Sequence, residues 1–165
     1  MIQFRPASIH DLELLTYWDT KQHVIDCDPE GDWNWEIELN RHPDWRELLI
    51  AEEEGEPIGF VQIIDPQKEE THYWGKIDPD NRAIDIWIGE TNNLNKGYGT
   101  QIMNLIIKRC FNDQKVNAIL VDPLKTNTKA HRFYERLGFT FTEEREFEGD
   151  TCYIYELKRY VGVEK

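Results

Sequence analysis

Two groups of residues in this chain have the types and spacing to do chemistry: a glycine loop suited to an anion, and carboxylates set among apolar neighbours. The loop is Asn95-Lys96-Gly97-Tyr98-Gly99-Thr100. It follows the strand-like run Ala83-Ile84-Asp85-Ile86-Trp87-Ile88-Gly89 and precedes a helix-like run carrying Ile102, Met103, Leu105, Ile106 and Ile107. A strand, a glycine-bearing loop and a helix start make an anion site, because the unpaired N–H groups of a helix N-terminus point outward. Glycine lets the backbone approach a phosphate with no side chain between, and Lys96 adds charge at the rim. The pattern is neither the nucleotide-triphosphate loop nor a dinucleotide fingerprint, which needs a third glycine. On local sequence alone it reads equally as a helix that begins with glycines.

Among the carboxylates, Asp85 interrupts the apolar run Ile84-Asp85-Ile86-Trp87-Ile88. There it either holds an ammonium by charge pairing or faces solvent on one side of a sheet. Asp122 stands before Pro123 at a strand end, either at the carboxyl edge where α/β ligands bind or as a plain turn residue. Asp150 lies in the turn Glu148-Gly149-Asp150. The five histidines pair with no cysteine or serine that would make a nucleophile. No His/Cys cluster has ligand spacing, so no metal is expected.

The elements that must position these residues follow from periodicity and punctuation. Ile2 to Arg5 reads as a strand ended by Pro6. Ser8-Ile9-His10-Asp11 resembles a capping box, with Asp in place of Glu, opening a helix through about Thr20. Asp26 to Asp32 reads as a polar turn, followed by a helix from Trp33 to Asn40. Trp45–Glu53 and Pro57–Asp65 read as strands joined at Glu54-Gly55-Glu56, and Gln67–Asn81 as a loop or irregular strand. Then come strand 83–89, helix 99–111, strand 117–122, helix 128–137, strand 139–147 and strand 151–158. Such alternation predicts an α/β (α+β) layered fold, with parallel neighbours mid-sheet and antiparallel pairs at its ends. No repeat, linker or low-complexity tract divides the chain, so residues 1–165 are expected to form a single domain.

Composition narrows the partners. Thirty-two acidic against nineteen basic residues give a formal net charge of −13. That disfavours nucleic acid and anionic membranes, which reward a basic face, and favours a cationic ligand; a solvated acidic surface is the alternative. Glu52-Glu53-Glu54 and Glu69-Glu70 read as such surface. Cys27, Cys110 and Cys152 are odd in number with no C-x-x-C spacing, which fits a reducing cytoplasm. Cys110 and Cys152 fall in apolar elements and are expected in the core. The sequence opens on no basic n-region with an apolar stretch and carries no run of 18 apolar residues, so neither secretion nor membrane spanning is expected.

One further segment ties these features together. Asn127-Thr128-Lys129-Ala130-His131-Arg132-Phe133-Tyr134-Glu135-Arg136-Leu137-Gly138-Phe139 resembles the N-x-x-A-x-x-x-Y-E-x-x-G-F segment of the GCN5-related N-acetyltransferases (GNAT). Gly97 and Gly99 fall where that family keeps R/Q-x-x-G-x-G/A, although Leu94 replaces the Arg or Gln. Glu54 to Gln62, Ala83-Ile84-Asp85, Phe111-Asn112-Asp113 and Val121-Asp122-Pro123 are similar to single-domain aminoglycoside 6'-N-acetyltransferases, enzymes of antibiotic resistance. Siderophore-pathway acetyltransferases share much of the pattern.

The resemblance implies a mixed central sheet of six to seven strands flanked by about four helices, with a splayed strand pair holding coenzyme A. It implies acetyl-CoA-dependent transfer to an amine of a cationic small molecule, with the 6'-amine of an aminoglycoside as the expected acceptor. A siderophore hydroxylamine precursor, a polyamine or a protein amine keeps the chemistry with another acceptor. A non-catalytic coenzyme A-binding or ligand-binding module is the reading from another class. By resemblance, Asn95, Lys96, Gly97, Tyr98, Gly99, Thr100 and Asn127 contact the coenzyme, and a backbone N–H near Trp87 or Ile88 stabilises the oxyanion. Asp85 is the expected base. Tyr134 is the expected acid for the thiolate, with a phenol pKa of about 10; from its neighbours alone it is a core aromatic. Asp122, Asp150, Asp32, Trp33 and Trp35 are expected around the acceptor, although a packed tryptophan serves the same residues. A monomer or a homodimer fits equally.

Overall fold

Ser8 begins the first helical segment as a capping box. Its Oγ accepts the His10 N–H at 3.3 Å, and Asp11 reaches back to the Ser8 N–H at 2.8 Å. The Arg5 guanidinium grips the same carboxylate at 2.9 and 2.8 Å. Burial raises the Asp11 pKa, but Arg5 and the Ser8 N–H outweigh it and hold the group below its ordinary value. The box opens a short 3-10 turn, Ile9–Asp11, before α1 (Leu12–Trp18).

The computed structural model describes residues 1–28, 31 and 33–159. Among them, β1 (Ile2–Pro6) and α1 are followed by α2 (Gln22–Cys27), α3 (Trp35–Glu38), β2 (Arg46–Glu53), β3 (Glu56–Ile64) and β4 (Asn81–Ile88). Then come α4 (Tyr98–Phe111), β5 (Ala118–Val121), α5 (Thr128–Arg136), β6 (Thr140–Phe147) and β7 (Asp150–Lys158). The hydrogen-bonded strand order is β1-β2-β3-β4-β5-β7-β6. β4 and β5 are parallel, while β1/β2, β2/β3, β5/β7 and β6/β7 are antiparallel. This is the mixed α/β sheet expected from the alternation. The β4/β5 register runs from Asn81↔Ala118 to Ala83↔Leu120, although β4 continues to Ile88.

The chain forms two compact units: Met1–Ile64 with Ile84–Met103, and Asp65–Ala83 with the chain from Asn104 onward. The core of the first gathers Leu15, Trp18, Val24, Trp35, Leu39, Ile50, Phe60 and Trp87. Its hairpin turns at Glu54 (φ 52) and Gly55 (φ 80), the paired left-handed conformation that two-residue hairpins need. Gly89 is required by contact: a Cβ there would lie 1.9 Å from Trp18 Cε2. In the second unit β5 is buried along its whole length, and Cys110 and Cys152 are core residues as expected.

Three expectations change. The helix expected over Trp33–Asn40 shortens to Trp35–Glu38, because Asn34 takes a left-handed φ of 57°. Gln22–Cys27, not predicted as helix, forms α2. Glu69 is buried rather than solvated, its carboxylate accepting the Thr71 hydroxyl at 2.6 Å and the Thr71 and Tyr73 N–H groups. Burial opposes its charge, but those donors hold its pKa below the ordinary value. No helix among the described residues is long and apolar enough to cross a membrane.

Candidate functional site

β4 alternates its side chains, so Asp85 and Trp87 share one face of the strand. Gln62 of β3 donates from Nε2 to Asp85 Oδ2 at 2.7 Å. Asp85 keeps part of its surface accessible, yet lies deep enough that burial dominates its titration. Burial pushes its pKa up to about 6; the Gln62 bond opposes this and the charge of Asp28 adds to it. Such a carboxyl is ionised at neutral pH while remaining a far better base than an exposed aspartate.

Aromatic rings crowd this part of the first unit. Trp33 and Trp35 stack at 4.6 Å and 5°, and Trp87 lies 4.7 Å from Phe60 and edge-on to both tryptophans. Trp33 Nε1 donates to Asp28 and Trp35 Nε1 to Asp19 at 2.7 Å. Trp87 Nε1 is buried with no acceptor among the described residues. Trp35 is thus a packed core residue, whereas Trp33 is half-buried beside it. Asp32 lies outside the described residues. Asp28 and Gln62 are the residues that sequence reasoning missed. Asp28 sat inside a stretch read only as a polar turn, and Gln62 was visible as the lone amide of an apolar strand.

The glycine loop belongs to the same unit. Asn95 (φ 61) and Gly97 (φ 81) are left-handed, and α4 begins at Tyr98, one residue earlier than expected. The Gln101 N–H bonds the Gly97 carbonyl at 3.1 Å. The N–H groups of Tyr98, Gly99 and Thr100 therefore precede the intrahelical ladder and are presented outward. Asn95, Lys96, Gly97 and Thr100 are exposed. This geometry fits a pyrophosphate, and Ile88 lies just upstream, its carbonyl 2.8 Å from the His23 ring.

The remaining expected residues lie in the second unit. Asn127 caps α5, its side chain accepting the Ala130 N–H at 3.2 Å. Tyr134 is buried among Phe133, Phe139 and Tyr155. Asp122 follows β5 and accepts the Tyr73 hydroxyl at 2.8 Å; Tyr73 in turn stacks on Phe147 at 4.4 Å. A bridge between Leu124 and Cys152, flanked by bonds from Tyr153 N to Pro123 O and from Lys125 N to Thr151 O, aligns 123–125 with 151–153. That alignment brings Asp122 and Asp150 close to one thiol: burial and then both carboxylates push Cys152 up to about 12.

Residues 8–147 match the family described as the acetyltransferase (GNAT) domain. The chain belongs to the GNAT acetyltransferase family. Among curated GNAT relatives, aminoglycoside N(6')-acetyltransferase type 1 of Klebsiella pneumoniae is 29% identical over 152 residues, covering 84% of this chain and 73% of that protein. A lysine N-acyltransferase of Mycobacterium, MbtK, is 23% identical over 161 residues, covering 94% and 66%. The crystal structure of the aminoglycoside acetyltransferase AAC(6')-Ib with coenzyme A and kanamycin superposes with a TM-score of 0.84 at 25% identity, covering 96% of this chain and 95% of that one. The fold and enzyme class expected from the glycine loop and the Asn127–Phe139 segment are those found. In this GNAT protein no group of three or more His, Cys, Asp or Glu is placed to hold a metal among the described residues.

Proposed function

We propose that this GNAT protein transfers the acetyl group of acetyl-CoA to an amine of a cationic small molecule, and that the acceptor is the 6'-amine of an aminoglycoside. The observation that carries the proposal is Asp85, a carboxylate poised near neutrality on the same strand face as Trp87. Ionised, it draws an ammonium and takes one of its protons, which frees the nitrogen lone pair to bond to the thioester carbonyl carbon; the second proton that the nitrogen then sheds balances the one the departing thiolate gains. The carbon–sulfur bond breaks, and Tyr134 is assigned to give a proton to the departing thiolate. A backbone N–H of Trp87 or Ile88 is assigned to the oxyanion. The N–H groups from Lys96 to Thr100 would hold the pyrophosphate, with Asn127 as a second coenzyme contact.

The acceptor is assigned to carboxylates and aromatic faces: Trp33, beside Trp35, and Asp122 with Asp150, together with Asp32. Charge supports a polycation, since acidic residues exceed basic ones by thirteen. So do the relatives, among them the aminoglycoside acetyltransferases. The matched segment runs through both compact units, so one acetyltransferase domain is proposed to occupy the chain.

The test is thiol release from acetyl-CoA in the presence of kanamycin, ribostamycin, N-hydroxylysine, spermidine or a lysine peptide. Release with an aminoglycoside, and acetylation mapped to its 6' position, is expected. Release only with N-hydroxylysine or spermidine would move the acceptor to the siderophore or polyamine class. Coenzyme binding with no release at all would leave a binding module.

A further inference from the structure

We propose that Gln62 is a positioning residue for Asp85: its amide fixes one carboxylate oxygen and leaves Oδ1 to take the proton of the acceptor amine. The inference deepens the proposed function and rests on Asp85 acting as the base. In β3, Gln62 stands between buried Val61 and Ile63, in a strand otherwise apolar from Pro57 to Ile64. A polar amide there is costly unless it is bonded, and its partner is the one carboxylate of β4. An ionised carboxylate only accepts, so the amide must present its N–H to Oδ2. That arrangement favours the charged, base-competent form and fixes the carboxylate's rotation in the same stroke.

The surrounding groups pull the other way. Asp28, at the end of α2, adds like charge at Asp85, and it does the same at Asp19, the residue that closes α1. Cys27, beside Asp26 at the end of α2, is a further titratable neighbour. Although part of the residue is exposed, burial and then the charges of Asp26, Asp28 and Asp85 push its thiol up to about 11, so it stays neutral below that. His23, also on α2, meets the Ile88 carbonyl of β4, and Glu90 beyond β4 accepts the Trp18 N–H. Gln62 is thus the group that offsets burial and Asp28 at the candidate base.

The experiment is the acid limb of kcat/KM against pH, with kanamycin as acceptor, for the wild type, Gln62→Met, Gln62→Glu and Asp28→Asn. All four are measured with and without His23→Gln, which removes that histidine from the profile. Gln62→Met keeps the bulk and loses the donor; its limb is expected to rise by about one pH unit. A limb moved from about 6 to about 7 means roughly a fivefold loss at pH 6 and almost none at pH 8. Gln62→Glu should move it further up, and Asp28→Asn should move it down. The same order is expected in a 13C NMR titration of the Asp85 carboxyl, which needs no acceptor and is readable even in a slow variant. If Gln62 only packs β3, activity falls equally at every pH and the carboxyl titrates unchanged, which overturns the inference. An Asp85→Asn variant as active as the wild type overturns the base assignment itself.

Discussion

Replacing Asp85 with Asn should destroy activity and at the same time stabilise the protein, with a signature in pH. The carboxyl titrates near 6 when folded against an ordinary value of 3.8. At about 1.36 kcal/mol for each tenfold step, that gap amounts to about 3 kcal/mol. Because part of Asp85 meets solvent, screening brings the expected figure to between about 1 and 3 kcal/mol. A carboxyl whose folded pKa is raised binds its proton more tightly in the folded state. Below about pH 4 both states carry the proton and the charge costs nothing. As pH climbs from about 4 to 6 the wild type loses stability, and above that the whole penalty is present. Asn at this position still accepts from Gln62 but never ionises. Urea titrations followed by tryptophan fluorescence at pH 4, 6 and 8 measure the difference. With a slope of about 2 kcal/mol per molar, the variant's midpoint should exceed the wild type's by about 0.5 to 1.5 M at pH 8 and coincide with it near pH 4. An equal gap at all three pH values, or a wild type that is the more stable at pH 8, would refute the reasoning.

Gly89→Ala should cost about 3 kcal/mol or more, because its Cβ would lie 1.9 Å from the fully buried Trp18 ring; a melting temperature within a degree of wild type would contradict this. Gly97→Val, at a φ of 81°, should raise the KM for acetyl-CoA several-fold while kcat changes little, as measured by thiol release. Asn127→Ala should lower stability by about 1 kcal/mol in urea titration through loss of the α5 cap.

Local rules carried much of this protein. Ser8 with Asp11, Glu54 with Gly55, and Asn127 are short-range devices, and each forms the turn or cap that its residue types favour. The apolar run after Gly99 similarly became α4. What escaped depends on neighbours distant in sequence or on a single unusual dihedral. Helix α2 has six residues and buries only Val24, too little periodicity to register. Glu69 looks solvated as a charge run, but its own loop folds three donors onto it. At the candidate site, Asp85 stood out as a carboxylate in an apolar strand. Its partnership with Gln62, and the pull of Asp28, exist only once β3, β4 and α2 are assembled.

The two compact units are interleaved along the chain, which passes between them at 64/65, 83/84 and 103/104. β4 divides between Ala83 and Ile84, and α4 between Met103 and Asn104. Neither unit is therefore a contiguous genetic module. No single truncation yields one of them intact, and a split-protein reporter cut between the exposed Gly75 and Lys76 would leave each fragment carrying parts of both. A single exchange of sequence halves therefore cuts through both units, whereas substitution and loop change leave each of them whole.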